Sequence, residues 1–215
     1  MPLSRFVAAG SRPRAETARR HPVRSAITDA NALAADLRDA IAGDVRFEAG
    51  DRALYATDAS NYRHVPIGVV IPRTTDDVVN ALDVCRRHGA PVLARGAGTS
   101  IAGQCCNVAV VIDSSKHLNR VVAFDPSAHT ARVQPGLTLD DLRHAANAHG
   151  LTFGPDPGTH RWCTLGGMIG NNSCGVHSVL ADFYGPGPTT AHNVDALDVV
   201  TYRGLRLRAV VGPGP

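Results

Sequence analysis

Apolar positions along this chain change period several times, and each change marks an element. From Thr28 the spacing Leu33, Leu37, Ile41 puts one apolar side chain on each helical turn, behind a Thr28 or Asp29 cap and before Gly43, which predicts a first helix. A short strand over 45–48 and a helical or irregular piece over 51–57 follow, and the polar run Asp58-Ala59-Ser60-Asn61 reads as a linking loop. Ile67 to Ile71 is an apolar run broken only by Gly68 and ended by Pro72. It fits a buried strand, although periodicity alone does not separate so short a run from a buried helix segment. Thr74-Thr75-Asp76-Asp77 then caps a helix with Val78, Val79, Leu82 and Cys85 on one face. Acids in its first turn and Arg86-Arg87-His88 in its last suit the helix dipole, and Gly89 ends it.

Pro91 to Ala94 is the next strand, so that strand, helix, strand and loop make a βαβ unit of short period. Val108 to Asp113 is a further buried strand, and 120–124 with 130–134 form a hairpin that turns through Asp125-Pro126-Ser127-Ala128-His129. Thr138 caps a helix to His149, stopped by Gly150. From there to Val194 the chain is rich in Gly, Pro and Asn, and the stretch is too long for a featureless loop. Residues 195–202 and 205–211 flank Arg203-Gly204 as a closing hairpin. The mixture predicts an α+β protein.

With 215 residues, 44% of them hydrophobic, the chain can build a real core. Lys and Arg exceed Asp and Glu by three, and Lys116 is the one lysine among 22 basic residues, so the charge points to no nucleic-acid partner. The five cysteines, Cys85, Cys105, Cys106, Cys163 and Cys174, are an odd number without a secretory signal, which disfavours a disulfide framework and suits a reducing cytoplasm. No run approaches the roughly 20 apolar residues of a membrane span, which leaves a soluble protein or one peripheral at a membrane. Residues 1–24 carry Arg5, Arg12, Arg14, Arg19, Arg20 and Arg24 against Glu16, a composition shared by transit peptides and disordered basic tails. A tail over 1–27 is expected.

Two glycine-rich stretches carry the candidate chemistry. Arg95-Gly96-Ala97-Gly98-Thr99-Ser100 follows a strand directly, and Thr164-Leu165-Gly166-Gly167-Met168-Ile169-Gly170-Asn171-Asn172-Ser173-Cys174-Gly175 reads as a second loop of the same kind. A Rossmann fingerprint fails because the third glycine position after Gly96 is Ile101 and no capped helix follows. A P-loop fails because Lys116 is not in either stretch. The absence of a Gly-x-Ser-x-Gly elbow disfavours a hydrolase. What remains is a cradle of backbone N–H groups, with Arg95 and the hydroxyls of Thr99 and Ser100 as helpers, for a diphosphate held without lysine or metal. Two such stretches suggest one large phosphorylated ligand.

Three segments, 95–104 ending in Gln104, Phe153-Gly154-Pro155-Asp156-Pro157, and Cys163 to Gly175, together resemble the FAD-binding domain of the vanillyl-alcohol oxidase and p-cresol methylhydroxylase (PCMH-type) superfamily. The branch they resemble is that of D-lactate dehydrogenase and the glycolate oxidase FAD subunit, including long relatives with iron-sulfur domains. The resemblance implies two α+β subdomains with FAD between them, the first over 67–125 and the second, incomplete, over 126–215, after an N-terminal helix and linking segment over 28–66. It places Gly96 to Ser100 and Gly166 to Ser173 around the pyrophosphate and ribityl chain, and Asp156 near a ribityl or ribose hydroxyl. The cofactor-binding set it implies also takes in Arg95, Gln104, Pro155, Thr164, Leu165, Asn171, Asn172 and Gly175. Where some relatives attach FAD covalently through a histidine, this chain has Ala97, Thr99 and Ser100, so FAD is expected to dissociate.

The implied reaction is two-electron oxidation of a 2-hydroxy acid of the D-lactate or glycolate type, with hydride passing to FAD and electrons leaving for an acceptor. No catalytic residue is assigned. The chain stops before the family's substrate cap and cysteine clusters, and between Ser178 and Asn193 a short family connection is replaced by a Pro- and Gly-containing insertion. The alternative is a non-catalytic or remnant flavin-binding module that needs a separate cap domain or partner. His160-x2-Cys163 and Cys174-x2-His177 have a spacing that structural zinc can use. Closing a tetrahedral site there would restrict the second stretch, so thiols and imidazoles packed beside the cofactor are the preferred reading and no metal is assigned. Trp162 reads as a core or lid residue, and His117, His129, His144 and His149 as solvated.

Overall fold

The computed structural model describes residues 29–210, and the expected basic tail lies outside them. Helix α1 (Ala30–Ala40) starts at Asp29, whose carboxylate accepts from the N–H groups of Asn31 and Ala32, and it buries Leu33, Ala34 and Leu37. After β1 (Asp44–Arg46) and α2 (Ala49–Leu54) the chain enters β2 (Gly68–Ile71), α3 (Thr75–Arg87) and β3 (Val92–Arg95). Helix α3 has the capping box its sequence predicts: Thr74 accepts from the Asp77 N–H while the Asp77 carboxylate accepts from the Thr74 N–H. Strand β4 (Val110–Asp113) then inserts between the two strands of the βαβ unit, giving the order β1-β2-β4-β3. Strands β2, β4 and β3 are parallel, and β1 closes the edge antiparallel to β2.

Side-chain alternation on this sheet makes two apolar layers. Val70, Val110 and Ile112 face Leu33, Leu37 and Leu82 of the two long helices, while Val69, Ile71 and Val111 form a smaller cluster under Tyr55 and Leu93. Parallel strands buried on both faces read as near-continuous apolar runs, which is why 67–71 and 108–113 show no alternation.

A separate core lies beyond residue 120. Strands β5 (Val121–Asp125) and β6 (Thr130–Val133) form the expected hairpin, followed by α4 (Leu139–Asn147). Leu137, Leu139 and Leu142 pack with Cys163, Leu165 and Met168, and Val121, Val133 and Phe153 close over them. The Gly-, Pro- and Asn-rich stretch is not irregular throughout. It contains α5 (Leu165–Asn171), a 3-10 turn over Val176–Ser178, α6 (Val179–Tyr184) and a second 3-10 turn over Thr190–Asn193. The closing hairpin pairs β7 (Ala196–Val200) with β8 (Arg206–Val210) and is tied to the first core by the Tyr202 hydroxyl, which donates to the Ala90 carbonyl at 2.8 Å. Among the described residues no helix is long and apolar enough to cross a membrane.

Candidate functional site

The first glycine stretch leaves β3 with its backbone N–H groups unclaimed. Among the described residues none of the amides of Gly96, Ala97, Gly98, Thr99 and Ser100 donates to a protein acceptor. Five consecutive unpaired donors in a loop are groups that an anionic ligand's oxygens can satisfy.

Arg95 does not point into that array. Its Nη1 donates to the carbonyl of Cys105 at 2.6 Å and its Nη2 to that of Thr57 at 2.9 Å, with the guanidinium carbon 5.4 Å from the centre of the Tyr55 ring. The expected direct contact between this guanidinium and a diphosphate gives way to a supporting role, because carbonyls of two segments, 55–57 and Cys105, converge on the fork beneath the loop. Gly98, at φ +72°, crosses directly over it, and a β-carbon there would strike the guanidinium. Asp58 holds the same region from the other side, accepting from the Cys105 N–H at 3.1 Å and from the N–H and hydroxyl of Ser60. Burial pushes its carboxyl up, but these bonds and the charge of Arg95 outweigh it and the net shift is downward. Tyr55 donates to Asp113 at 2.7 Å, and burial with that bond holds its phenol neutral well above the usual range. Gln104 is exposed, its amide oxygen turned back onto the Ala102 N–H at 3.2 Å.

The second stretch is a helix at its centre rather than a loop. Thr164 caps α5, its hydroxyl accepting from the Gly167 N–H at 3.4 Å, and Leu165 and Met168 turn into the core. The N–H groups of Leu165 and Gly166 are already bonded to the carbonyls of Leu137 and Pro135, each at 2.8 Å. The expectation that these amides are free for a ligand is therefore corrected: the second stretch offers side chains and an open face instead. Gly167 and Gly170 lie three apart on that face, and a β-carbon at Gly170 would meet nothing within 4 Å.

Helix α5 lies alongside the first stretch and touches it at both ends. Thr164 packs onto Gly96 so closely that a β-carbon there would collide with the threonine hydroxyl. Seven residues on, Asn171 Nδ2 is 3.4 Å from the Ser100 hydroxyl and donates to the Gly167 carbonyl at 3.0 Å. The unpaired amides, an exposed carboxamide, two hydroxyls and the bare glycine face thus border one region. This donor set, rich in N–H and free of lysine, fits a dinucleotide diphosphate.

Asp156, Pro155 and Gly175 form a second group. Asp156 accepts from Arg143 Nη1 at 2.7 Å and pairs with His177 Nδ1 at 2.8 Å, while its N–H donates to the Ser178 hydroxyl at 2.7 Å. The Arg143 bond above all holds its carboxyl below the usual range. Arg143 also donates to the carbonyls of Phe153 and Pro155, so one side chain on α4 fixes the whole 153–156 segment. Gly175 lets the chain pass against the Asp156 carbonyl, where any β-carbon would overlap. Asn172 is turned away, accepting from the Ala191 N–H at 2.9 Å, and the Ser173 carbonyl accepts from Thr190. Sequence reading missed Arg143, Asp58 and Tyr55, whose bonds to Asp156, Cys105 and Asp113 span 13, 47 and 58 residues and leave no local signal.

His160 pairs with Asp140 at 2.8 Å and His177 with Asp156, while Cys163 is buried and Cys174 exposed. Among the described residues no three His, Cys, Asp or Glu side chains are placed to hold a metal ion. Trp162 is exposed, and His149 stacks on Phe124 with ring centres 5.0 Å apart.

Residues 66–209 match the family model described as FAD binding domain. Glycolate oxidase subunit GlcD of Bacillus subtilis (strain 168) is 34% identical over 159 residues, 73% of this chain and 33% of that protein. D-2-hydroxyglutarate dehydrogenase of Escherichia coli (strain K12) is 34% identical over 141 residues, 64% of this chain and 14% of that one. Among solved structures, alkyldihydroxyacetonephosphate synthase superposes with a TM-score of 0.73 at 21% identity, covering 86% of this chain and 36% of the other. p-Cresol methylhydroxylase with substrate bound gives 0.67 at 19%, covering 83% and 35%. The α+β architecture is the one those structures share, and the chain spans about a third or less of the length of these relatives.

Proposed function

This chain belongs to the family of FAD-binding domains, and on that premise we propose that it is the FAD-holding part of an oxidoreductase acting on a 2-hydroxy acid of the glycolate or D-lactate type. The observation that carries the cofactor reading is the contact of the two glycine stretches, Gly96 against Thr164 and Ser100 against Asn171, beside a row of unpaired amides. The N–H groups of Gly96 to Ser100, with the hydroxyls of Thr99 and Ser100, donate to the diphosphate oxygens. Arg95 lends positive charge from beneath without touching them. Asn171 donates to a further oxygen, and the face bearing Gly167 and Gly170 lets the ligand approach the helix backbone, with Ile169 as an apolar neighbour. Pro155, Asp156, Asn172, Ser173 and Gly175 shape the adjoining turn, and Leu165 anchors α5 in the core. FAD supplies the two-electron acceptor for a hydride leaving the carbon that bears the substrate hydroxyl. The chain's own part is to bind and orient it.

The residues of the first stretch support non-covalent attachment, since Ala97, Thr99 and Ser100 stand where some relatives carry the linking histidine. A second reading is a non-catalytic flavin-binding module that works with a separate cap domain or partner. Purified protein separates the two. Yellow colour that acid releases completely, followed by anaerobic bleaching with glycolate or D-lactate, supports the oxidoreductase. Colour without bleaching supports the module, and protein that takes up no FAD overturns the cofactor reading itself.

A further inference from the structure

Two side-chain donors converge on the Ser100 hydroxyl. The Cys105 thiol donates to it at 3.2 Å, and Asn171 Nδ2 approaches it from α5 at 3.4 Å. Cys105 and Cys106 are adjacent in the chain but differ in what they touch. Cys106 is buried and turns its thiol to the Gly103 carbonyl at 3.7 Å, whereas Cys105 is half-buried and, among the described residues, its thiol bonds Ser100 alone. Charged side chains clamp both backbone groups of Cys105: its carbonyl accepts from Arg95 Nη1 at 2.6 Å, and its N–H donates to the Asp58 carboxylate at 3.1 Å. Charge-assisted bonds are the strong ones, and together these two fix where the thiol points.

We propose that Cys105 is a positioning residue of the diphosphate site, its thiol holding the Ser100 hydroxyl so that the hydroxyl proton is turned to a ligand oxygen, an inference that rests on the FAD reading. A serine hydroxyl has one proton and two lone pairs. A phosphate oxygen carries charge and is a far better acceptor than a thiol sulfur. With a diphosphate in place the hydroxyl proton therefore goes to the ligand, and the thiol proton goes to the hydroxyl oxygen. The chain from thiol to hydroxyl to phosphate oxygen runs one way, and each bond polarises the next. Asn171 is the looser donor of the two. Anchored on the Gly167 carbonyl at 3.0 Å, it can trade its longer contact with Ser100 for a ligand oxygen, while the clamped thiol has no other acceptor. A thiol is a weak donor, which suits it to orient a stronger one rather than to bind the ligand itself.

Fluorescence titration of the FAD-free protein with FAD tests this through a double-mutant cycle. Ser100→Ala should weaken FAD binding by about tenfold, and Cys105→Ala by about three- to tenfold. Cys105→Ser keeps a donor and should stay within about twofold of wild type. If the thiol acts through the hydroxyl, Cys105→Ala should cost nothing further in the Ser100→Ala background. Costs that add in full overturn the proposal, as does a Cys105→Ala variant that binds FAD as tightly as wild type. Wild type that takes up no FAD overturns the cofactor reading and this inference with it. Should Cys105→Ala fail to fold, alkylation of wild type decides: saturating FAD should slow iodoacetamide labelling of Cys105 by about tenfold, since the bound chain of hydrogen bonds keeps the thiol protonated and engaged. Labelling of Cys105 at the same rate with and without FAD overturns the proposal.

Discussion

The Thr164 hydroxyl occupies the space that a β-carbon on Gly96 would need. The same oxygen accepts the Gly167 N–H that starts α5. One atom therefore sets both the first turn of the helix and the closest approach of the two glycine stretches, which lie 68 residues apart in the chain. The start of one candidate binding element is defined by the surface of the other.

Replacing Gly96 with alanine should thus force the stretches apart. Overpacking at a tight contact costs about 1–3 kcal/mol, and Thr164→Ala alone should cost about 1 kcal/mol through the lost cap. Urea unfolding of the two single variants and the double variant measures their coupling. We expect Gly96→Ala to be milder in the Thr164→Ala background, where hydroxyl and methyl are gone. Strictly additive costs would show that the two residues do not share this space. Flavin affinity should fall with Gly96→Ala in parallel.

Arg143→Lys keeps the charge on α4 but not the fork. The guanidinium now bonds Asp156 and the carbonyls of Phe153 and Pro155 together. A single ammonium cannot satisfy all three. With both side chains about one-fifth exposed, we expect a loss of about 1–3 kcal/mol. Faster hydrogen exchange over 152–157 and 174–178 should accompany it, because His177 and Ser178 hang on the same aspartate. Exchange that rises equally across the whole chain would instead mean that Arg143 supports the fold in general.

Local chemistry was legible in the sequence, and long-range pairing was not. Caps, dipole-matched charges and turn residues placed α1, α3, α4 and both hairpins, since each of those signals acts within a few residues. Strand order was hidden: nothing in Val110 to Asp113 says that β4 enters between β2 and β3. Helix α5 read as loop because three of its seven residues are glycine, and its helical face rests on Leu165 and Met168 alone. The free amides of Gly96 to Ser100 were foreseeable from the glycines. The direction of Arg95 was not, because the carbonyls that take it come from segments the sequence does not align with it.

Cysteine reactivity should follow burial. Burial pushes the Cys85 thiol up to about 12 and also raises Cys163 and Cys106, whereas Cys174 is exposed and Cys105 half-buried. Thiolate is the reactive form, so brief iodoacetamide treatment near neutral pH should label Cys174 first and Cys105 second. Mass spectrometry should find Cys85 and Cys163 unmodified until denaturant is added, when all five react. Early labelling of Cys85 would contradict the packing of α3 against the sheet.

Acid stability should depend on Asp77. It is buried, and while burial raises its carboxyl, the N–H groups of Arg73, Ala42 and Thr74 and the Thr74 hydroxyl outweigh that and hold it below 3.8. A carboxyl lowered on folding stabilises the protein above its unfolded value, and that contribution disappears as pH falls through the folded value. Asp44, Asp58 and Asp156 are lowered as well and act in the same direction. Asp77→Asn keeps the size but sets an amide NH2 against backbone N–H groups, at a cost of about 2–3 kcal/mol near neutral pH. Denaturation at a series of pH values should show wild type and variant farthest apart at neutral pH, with the gap closing below 3.8 as the wild-type carboxyl protonates. A gap of constant size into acid would mean that charge on Asp77 contributes nothing and that the capping geometry alone accounts for the loss.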